Sequence, residues 1–173
     1  TLRQTIGDIS SDLDLSSVLQ TILERATGLL NATGGDLGLY DEIRQDIQIV
    51  VSHNMGKDYT GYRMAYGEGA MGRAIQLGQA VLISEYQNWE GRSAQYQDVT
   101  YHAVLAVPLL ARGRIIGALG LVDRNPRRIF SPGDQRLLEL FAQQAISAIE
   151  NARLYTEEKR RAVELGVLFE SST

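Results

Sequence analysis

The chain has 173 residues, 44% hydrophobic and 22% charged, with 17 Lys plus Arg against 21 Asp plus Glu and a net charge of −4. This is the length and composition of one globular domain with helical extensions, and its acidic balance excludes the basic footprint of a non-specific nucleic-acid binder. There is no cysteine, which excludes disulfides, thiolate metal sites, cysteine nucleophiles and thioether-tethered cofactors.

Only two histidines occur, His53 and His102, too far apart in the chain to suggest a metal cluster, so no metal site is expected. The longest apolar run, Ala103 to Leu110, is far short of the roughly 20 residues that span a bilayer. The first ten residues hold no signal-peptide core. These features read as a cytoplasmic piece of a longer protein.

Taken in chain order, Leu2, Ile6, Ile9 and Leu13 carry a thin apolar stripe, expected to be a connector helix over 1–13. Asp14 then reads as the cap of a second helix, whose buried face is Leu15, Val18, Leu19, Ile22, Leu23, Ala26, Leu29 and Leu30 at helical spacing. Asn31 and Gly34-Gly35 are expected to stop it. Segments 36–40 and 46–51 flank a polar turn and predict a hairpin. A short strand at 62–66, a short helix over 67–77 closed by Gly78 and a brief strand at 80–84 follow. Residues 85–101 are polar and aromatic without a period and read as a loop or lid.

Segments 103–110 and 114–122 are apolar at odd and even positions alike, the mark of strands covered on both faces and here placed at the sheet's centre. Arg112-Gly113 suits a tight turn between them. A two-residue turn would set His102 opposite Asp123. Pro108 cannot donate a ladder bond and should mark an end or a bulge. Ser131-Pro132-Gly133-Asp134 announces a long helix with an N-cap Ser, Pro at the first position and an acid at the third. Leu138, Phe141, Ala145, Ala148, Ala152 and Tyr155 form a narrow seam along it, of the kind used between paired helices. The apolar residues regained after 161 predict that 156–173 is an outgoing signalling helix towards a further domain. Consecutive strands without helical crossovers argue for an antiparallel α+β sheet.

The strings LDLSSVLQTILERATGLLNA, GEGAMGRAIQLGQAVLI, AVLAVPLLARGRIIGALGLVDR and FSPGDQRLLELFAQQAISAIENARLY, in this order and spacing, resemble the GAF domain family, with the domain over 14–155. The resemblance implies a profilin/PAS-like antiparallel sheet of five or six strands. Terminal helices would pack on one face, and a short helix plus loops would cover a small-molecule pocket on the other. It also implies a sensory and dimerisation module of a signalling protein such as a sensor histidine kinase, joined to an output domain and not itself an enzyme.

Bilin-binding and sulfoxide-reducing members use a cysteine that this chain lacks, so no covalent bilin is expected. Cyclic-nucleotide members carry an Asn-Lys, a Phe and an Asp-Glu. The matching places here are Asp123-Arg124, Phe130 and Asp134-Gln135, and the departures at Asp123 and Gln135 argue against that ligand. An Arg124–Asp134 salt bridge would tie the strand exit to the long helix.

The expected pocket lining is Asp36, Tyr40, Glu68, Arg73, Tyr86, Trp89, Tyr96 and His102, with the aromatic residues of 85–101 as a lid. Gly67, Gly69 and Gly72 spell GxGxxG, but no buried strand or parallel unit surrounds them. They read as a turn into a short helix, whose amides, with Arg73, offer an anion a place. The alternatives are a ligand-free dimerisation spacer and, more distantly, a dinucleotide-binding protein.

Overall fold

The structure is a computed structural model that describes residues 2–94 and 100–171, with side chains described over 14–94 and 100–164. Helix α1 spans Leu2–Leu29 without a break. Asp14 is therefore an exposed position inside one helix, and not the cap that begins a second. Asn31, at φ 54°, ends the turn after α1. Gly34 and Gly35 do not stop a helix. They open strand β1 (Gly34–Asp41), where a Cβ on Gly34 would lie 2.4 Å from the carbonyl oxygens of His53 and Asn54.

Strand β2 (Asp46–His53) completes the hairpin. It is followed by β3 (Arg63–Ala65), helix α2 (Gly69–Leu77) and β4 (Val81–Ile83). A 3-10 turn at Tyr86–Asn88 interrupts the predicted loop. Strands β5 (Ala103–Ala111) and β6 (Arg114–Asp123) form the second hairpin, and α3 runs over Pro132–Ser171.

The six strands are antiparallel neighbours in the order β3-β2-β1-β6-β5-β4. The central pair is thus β1 with β6, and β5 lies one place further out than its uniform hydrophobicity suggests. β5 is nonetheless covered on both faces, as is β6. Leu105 and Leu109 face one core, while Val104 and Ala106 face the other.

Arg112 and Gly113 both have positive φ, the turn whose twist matches a hairpin. One register shift between Leu109 and Leu110 then offsets the ladder. Leu110 pairs with Ile115, Leu109 with Gly117, and the offset persists to the pair Ala103–Asp123. His102 is thereby displaced from Asp123. Pro108 sits one residue before the irregularity, beyond the last β4 partner of β5, Ala106.

One sheet face carries both long helices. Leu19, Leu23 and Ala26 of α1 and Leu138, Ala145 and Ile149 of α3 pack on Leu37, Leu105, Leu119 and Leu121. The opposite face carries α2 through Met71, Ala74 and Ile75, with Tyr59, Tyr86 and Tyr101. The N-terminus of α3 is a reciprocal cap: the Asp134 amide donates to Ser131 Oγ (3.1 Å), and the Ser131 amide donates to Asp134 Oδ2 (2.8 Å).

Part of the predicted α3 seam is consumed inside the domain, because Leu138 and Ala145 are fully buried and Ala148 packs on the same core. Past Ile149 the helix leaves the core, and Leu154 and Tyr155 are 55% and 51% exposed. Among the described residues no helix is long and apolar enough to cross a membrane.

Candidate functional site

The α2 face of the sheet holds a partly open cavity of about 40 Å³. Its origin is a row of side chains running across the strands. Ser52, Asp36, Gly120 and Ala106 are partners in register on β2, β1, β6 and β5. Glycine and alanine leave the space next to Asp36 empty. A Cβ on Gly120 would come within 3.2 Å of Met71 Cγ, so the bare glycine lets Met71 of α2 pack close to β6 at the cavity's edge. Asp36, only 2% exposed, lines this space together with Met55, Met64, Met71, Tyr86 and Tyr101.

The tyrosines are a packed set. Tyr86 and Tyr101 meet edge to face, with centroids 6.4 Å apart, and the Tyr101 hydroxyl donates to the Met55 carbonyl. Burial pushes the Tyr101 phenol far above its ordinary value, with the neighbouring Tyr59 and Asp36 adding to the rise. Burial likewise raises Tyr86 and Tyr59. These three phenols are held as neutral hydrogen-bonding groups.

Of the eight residues expected around the pocket, the structure brings Asp36 and Tyr86 to the cavity wall. Tyr40 packs at the margin of the same core but lines a separate groove with Arg63 and Arg114 near the end of β1. Trp89 is half-buried and stacks on Tyr86, with centroids 5.9 Å apart. Arg73 lies 5.7 Å over its ring, and the pair packs beside the core of this face without lining the cavity. Tyr96 lies outside the described residues.

His102 is spent on backbone bonding: its amide donates to the Asp123 carbonyl (2.9 Å) and its carbonyl accepts from the Tyr86 amide (2.8 Å). The Asp123 carboxylate turns elsewhere, accepting from Thr33 Oγ1 and the Asn125 amide. No His–Asp dyad forms.

At the start of α2, three of the amides expected to face an anion are already engaged. The amides of Gly67, Glu68 and Gly69 donate to the carbonyls of Gly72, Ala65 and Gly91. Glu68 is the N-cap residue of α2, but its carboxylate makes no bond to the helix amides. It accepts from the Ala65 amide (2.8 Å) and from Ser93 Oγ (2.9 Å), clasping the 86–93 strap to α2. The glycines serve the turn. Gly67 and Gly69 have positive φ, and a Cβ on Gly72 would stand 2.7 Å from the Ala65 carbonyl.

The expected Arg124–Asp134 bridge is made by a different arginine. Arg128 lies 3.5 Å from Asp123 Oδ2 and 3.6 Å from Asp134 Oδ2. It also donates to the carbonyls of Asn31 and Leu30 and stacks on Phe130. Arg124 instead lies over the Tyr101 ring at 5.9 Å. Among the described residues no three His, Asp or Glu side chains stand together as a metal site.

Sequence reasoning missed Met55, Met64 and Met71 as wall residues, whereas Tyr101 belongs to the aromatic segment expected over the pocket. The signal available was the spacing of Gly120 and Ala106 within apolar strands, where small residues on one face open room under a helix.

A six-stranded antiparallel sheet, with paired terminal helices on one side and a small helix over a cavity on the other, defines a distinct class of α+β domain. A family model for the GAF domain matches residues 12–150, and the chain belongs to the GAF domain family. Similar solved structures include the GAF domain of an Acinetobacter phosphoenolpyruvate-protein phosphotransferase. It is 20% identical, with a TM-score of 0.73 over 90% of this chain and 94% of that one. Residues 122 to 287 of a methyl-accepting chemotaxis protein match at 19% identity and a TM-score of 0.71, over 82% of this chain and 92% of that one. A free methionine-R-sulfoxide reductase from Neisseria meningitidis, solved with its substrate, matches at 17% identity and a TM-score of 0.66, over 82% and 81%. At such identities what is shared is the fold.

Proposed function

We propose that this domain is a sensory, non-catalytic module of a larger signalling protein. It takes a small molecule in the cavity under α2 and passes the occupancy to α1 and α3. The observation that carries this reading is that cavity and helix pair share the same two central strands. Asp36 and Gly120 face the cavity, while their chain neighbours Leu37, Leu119 and Leu121 pack on the other side in the core that holds α1 and α3. A displacement of β1 or β6 by a ligand moves both faces at once, because a close-packed core transmits strain. Beyond its packed part, α3 is the element that leaves the domain, with its 40 residues spanning about 60 Å. Dimerisation through the exposed stretch of that helix, and a cytoplasmic output domain joined to it, belong to the same reading.

A second reading, the ligand-free spacer, is favoured by one observation. The cavity is about 40 Å³, whereas pockets for drug-sized ligands run to roughly 300–1,000 Å³. Native mass spectrometry of the purified protein separates the two. A retained low-mass molecule, released on unfolding, supports the sensor, and a bare chain that no small molecule stabilises supports the spacer.

A further inference from the structure

The cavity's chemistry narrows the ligand class. Among the described residues, its only charged lining residue is Asp36, on the floor. Its walls are the thioethers of Met55, Met64 and Met71 and the rings of Tyr86 and Tyr101. A buried carboxylate favours a cationic partner. Aromatic faces and polarisable sulfur favour a soft, weakly hydrated cation with alkyl surface. A hard metal ion needs a shell of six or more oxygens, and thioethers and rings do not supply one.

Size sets the other limit. At roughly 10–15 Å³ of cavity per water-sized group, about 40 Å³ holds some three such groups, the bulk of a methyl- or ethylammonium ion. A nucleotide or a bilin is far too large.

We propose that the cavity binds the ammonium group of a small alkylamine, with the charge against Asp36 and the alkyl part among the methionines and tyrosines. The inference rests on the reading that the cavity takes a ligand.

The test is thermal unfolding of the full chain in methylammonium or ethylammonium chloride. Sodium chloride and sodium acetate at equal ionic strength, and ethanol, serve as controls. The expected result is a saturable rise in midpoint of about 2–4 °C with the amines alone. That rise should vanish in Asp36→Asn, which keeps the side chain's shape and removes its charge. It should vanish also in Gly120→Ala, which keeps the carboxylate and fills the space, so the test survives poor folding of either variant.

An amine effect that persists in both variants overturns the proposal. A rise with ethanol or acetate equal to that with the amines overturns the cationic class and leaves the sensor reading standing. No rise with any probe, together with a bare chain in native mass spectrometry, overturns both.

Discussion

Ala103 stands opposite Asp123 across the β5–β6 ladder, one residue away from the pairing that the Arg112-Gly113 turn alone would impose. A single irregularity near Leu109 therefore decides what Asp123 does. Its carboxylate binds Thr33 and the Asn125 amide and lies beside Arg128, which in turn reaches the end of α1 and the start of α3. This knot fixes where both helices meet the sheet.

Asp123→Ala should cost about 2–3 kcal/mol, the range for removing one member of a buried charged hydrogen-bond network. His102→Ala, whose backbone bonds survive the change, should cost under about 1 kcal/mol. Urea unfolding of both variants measures the order, and a larger loss for His102 would contradict the assignment.

The buried tyrosines have a pH signature. Tyr59, Tyr86 and Tyr101 are raised by burial, so the folded state holds protons that the unfolded chain releases near pH 10. Their contribution to stability is complete below that pH and is lost as pH rises through and beyond it. Ultraviolet titration should show these phenolates forming only together with unfolding. Normal ionisation of every tyrosine in the folded protein would show that the α2 face is open to water.

Gly120→Ala addresses the cavity. The added Cβ meets Met71 Cγ at 3.2 Å, the flexible part of a side chain that can shift. Met71 must give by a few tenths of an ångström, so the change should cost about 1–2 kcal/mol, as for mild overpacking of a core. A loss well above that would mean the site has no free space.

Gly117 provides the contrast. A Cβ there would stand 2.2 Å from the Gly38 carbonyl oxygen, backbone against backbone in the central β1–β6 pair. Gly117→Ala should be among the most destabilising single changes in the sheet, by about 3 kcal/mol or more. Chemical denaturation measures it, and a neutral outcome would contradict the strand packing described here.

Association through α3 is tested outside the core. Ala148 packs on the domain's own core, so its replacement would confound folding with assembly. Leu154 and Tyr155 are half exposed and bear on no core residue. Leu154→Glu with Tyr155→Glu should leave the unfolding midpoint within about 2 °C, as for surface changes, and shift sedimentation from dimer to monomer. A wild type already monomeric at high concentration would remove this part of the proposal.

The elements were legible in the sequence because their signals are local. Apolar spacing marks α1, α2 and α3, Gly78 closes α2 in the left-handed conformation, and Ser131 with Asp134 caps α3. What was not legible depends on register and on partners distant in the chain. Pro108 announces an irregularity in β5, but not that the shift at Leu109/Leu110 carries through to the Ala103–Asp123 pair and displaces His102, and the choice of Arg128 over Arg124 for Asp134 depends on how the 124–130 turn folds back on α1. The cavity wall was half hidden because methionine reads as generic core. Glu68, expected in the pocket lining, instead ties Ser93 to the turn before α2.

The central claim is that filling the cavity moves α3 relative to α1, and the absence of cysteine makes the measurement clean. Spin labels at Arg25→Cys and Asn151→Cys, both exposed positions on the two helices, report the helix separation by pulsed dipolar spectroscopy with and without saturating methylammonium. The account predicts a shift of the distance distribution by about 1–2 Å, the scale of helix movements in switching proteins. A distribution that stays fixed while the same amine raises the unfolding midpoint would contradict it.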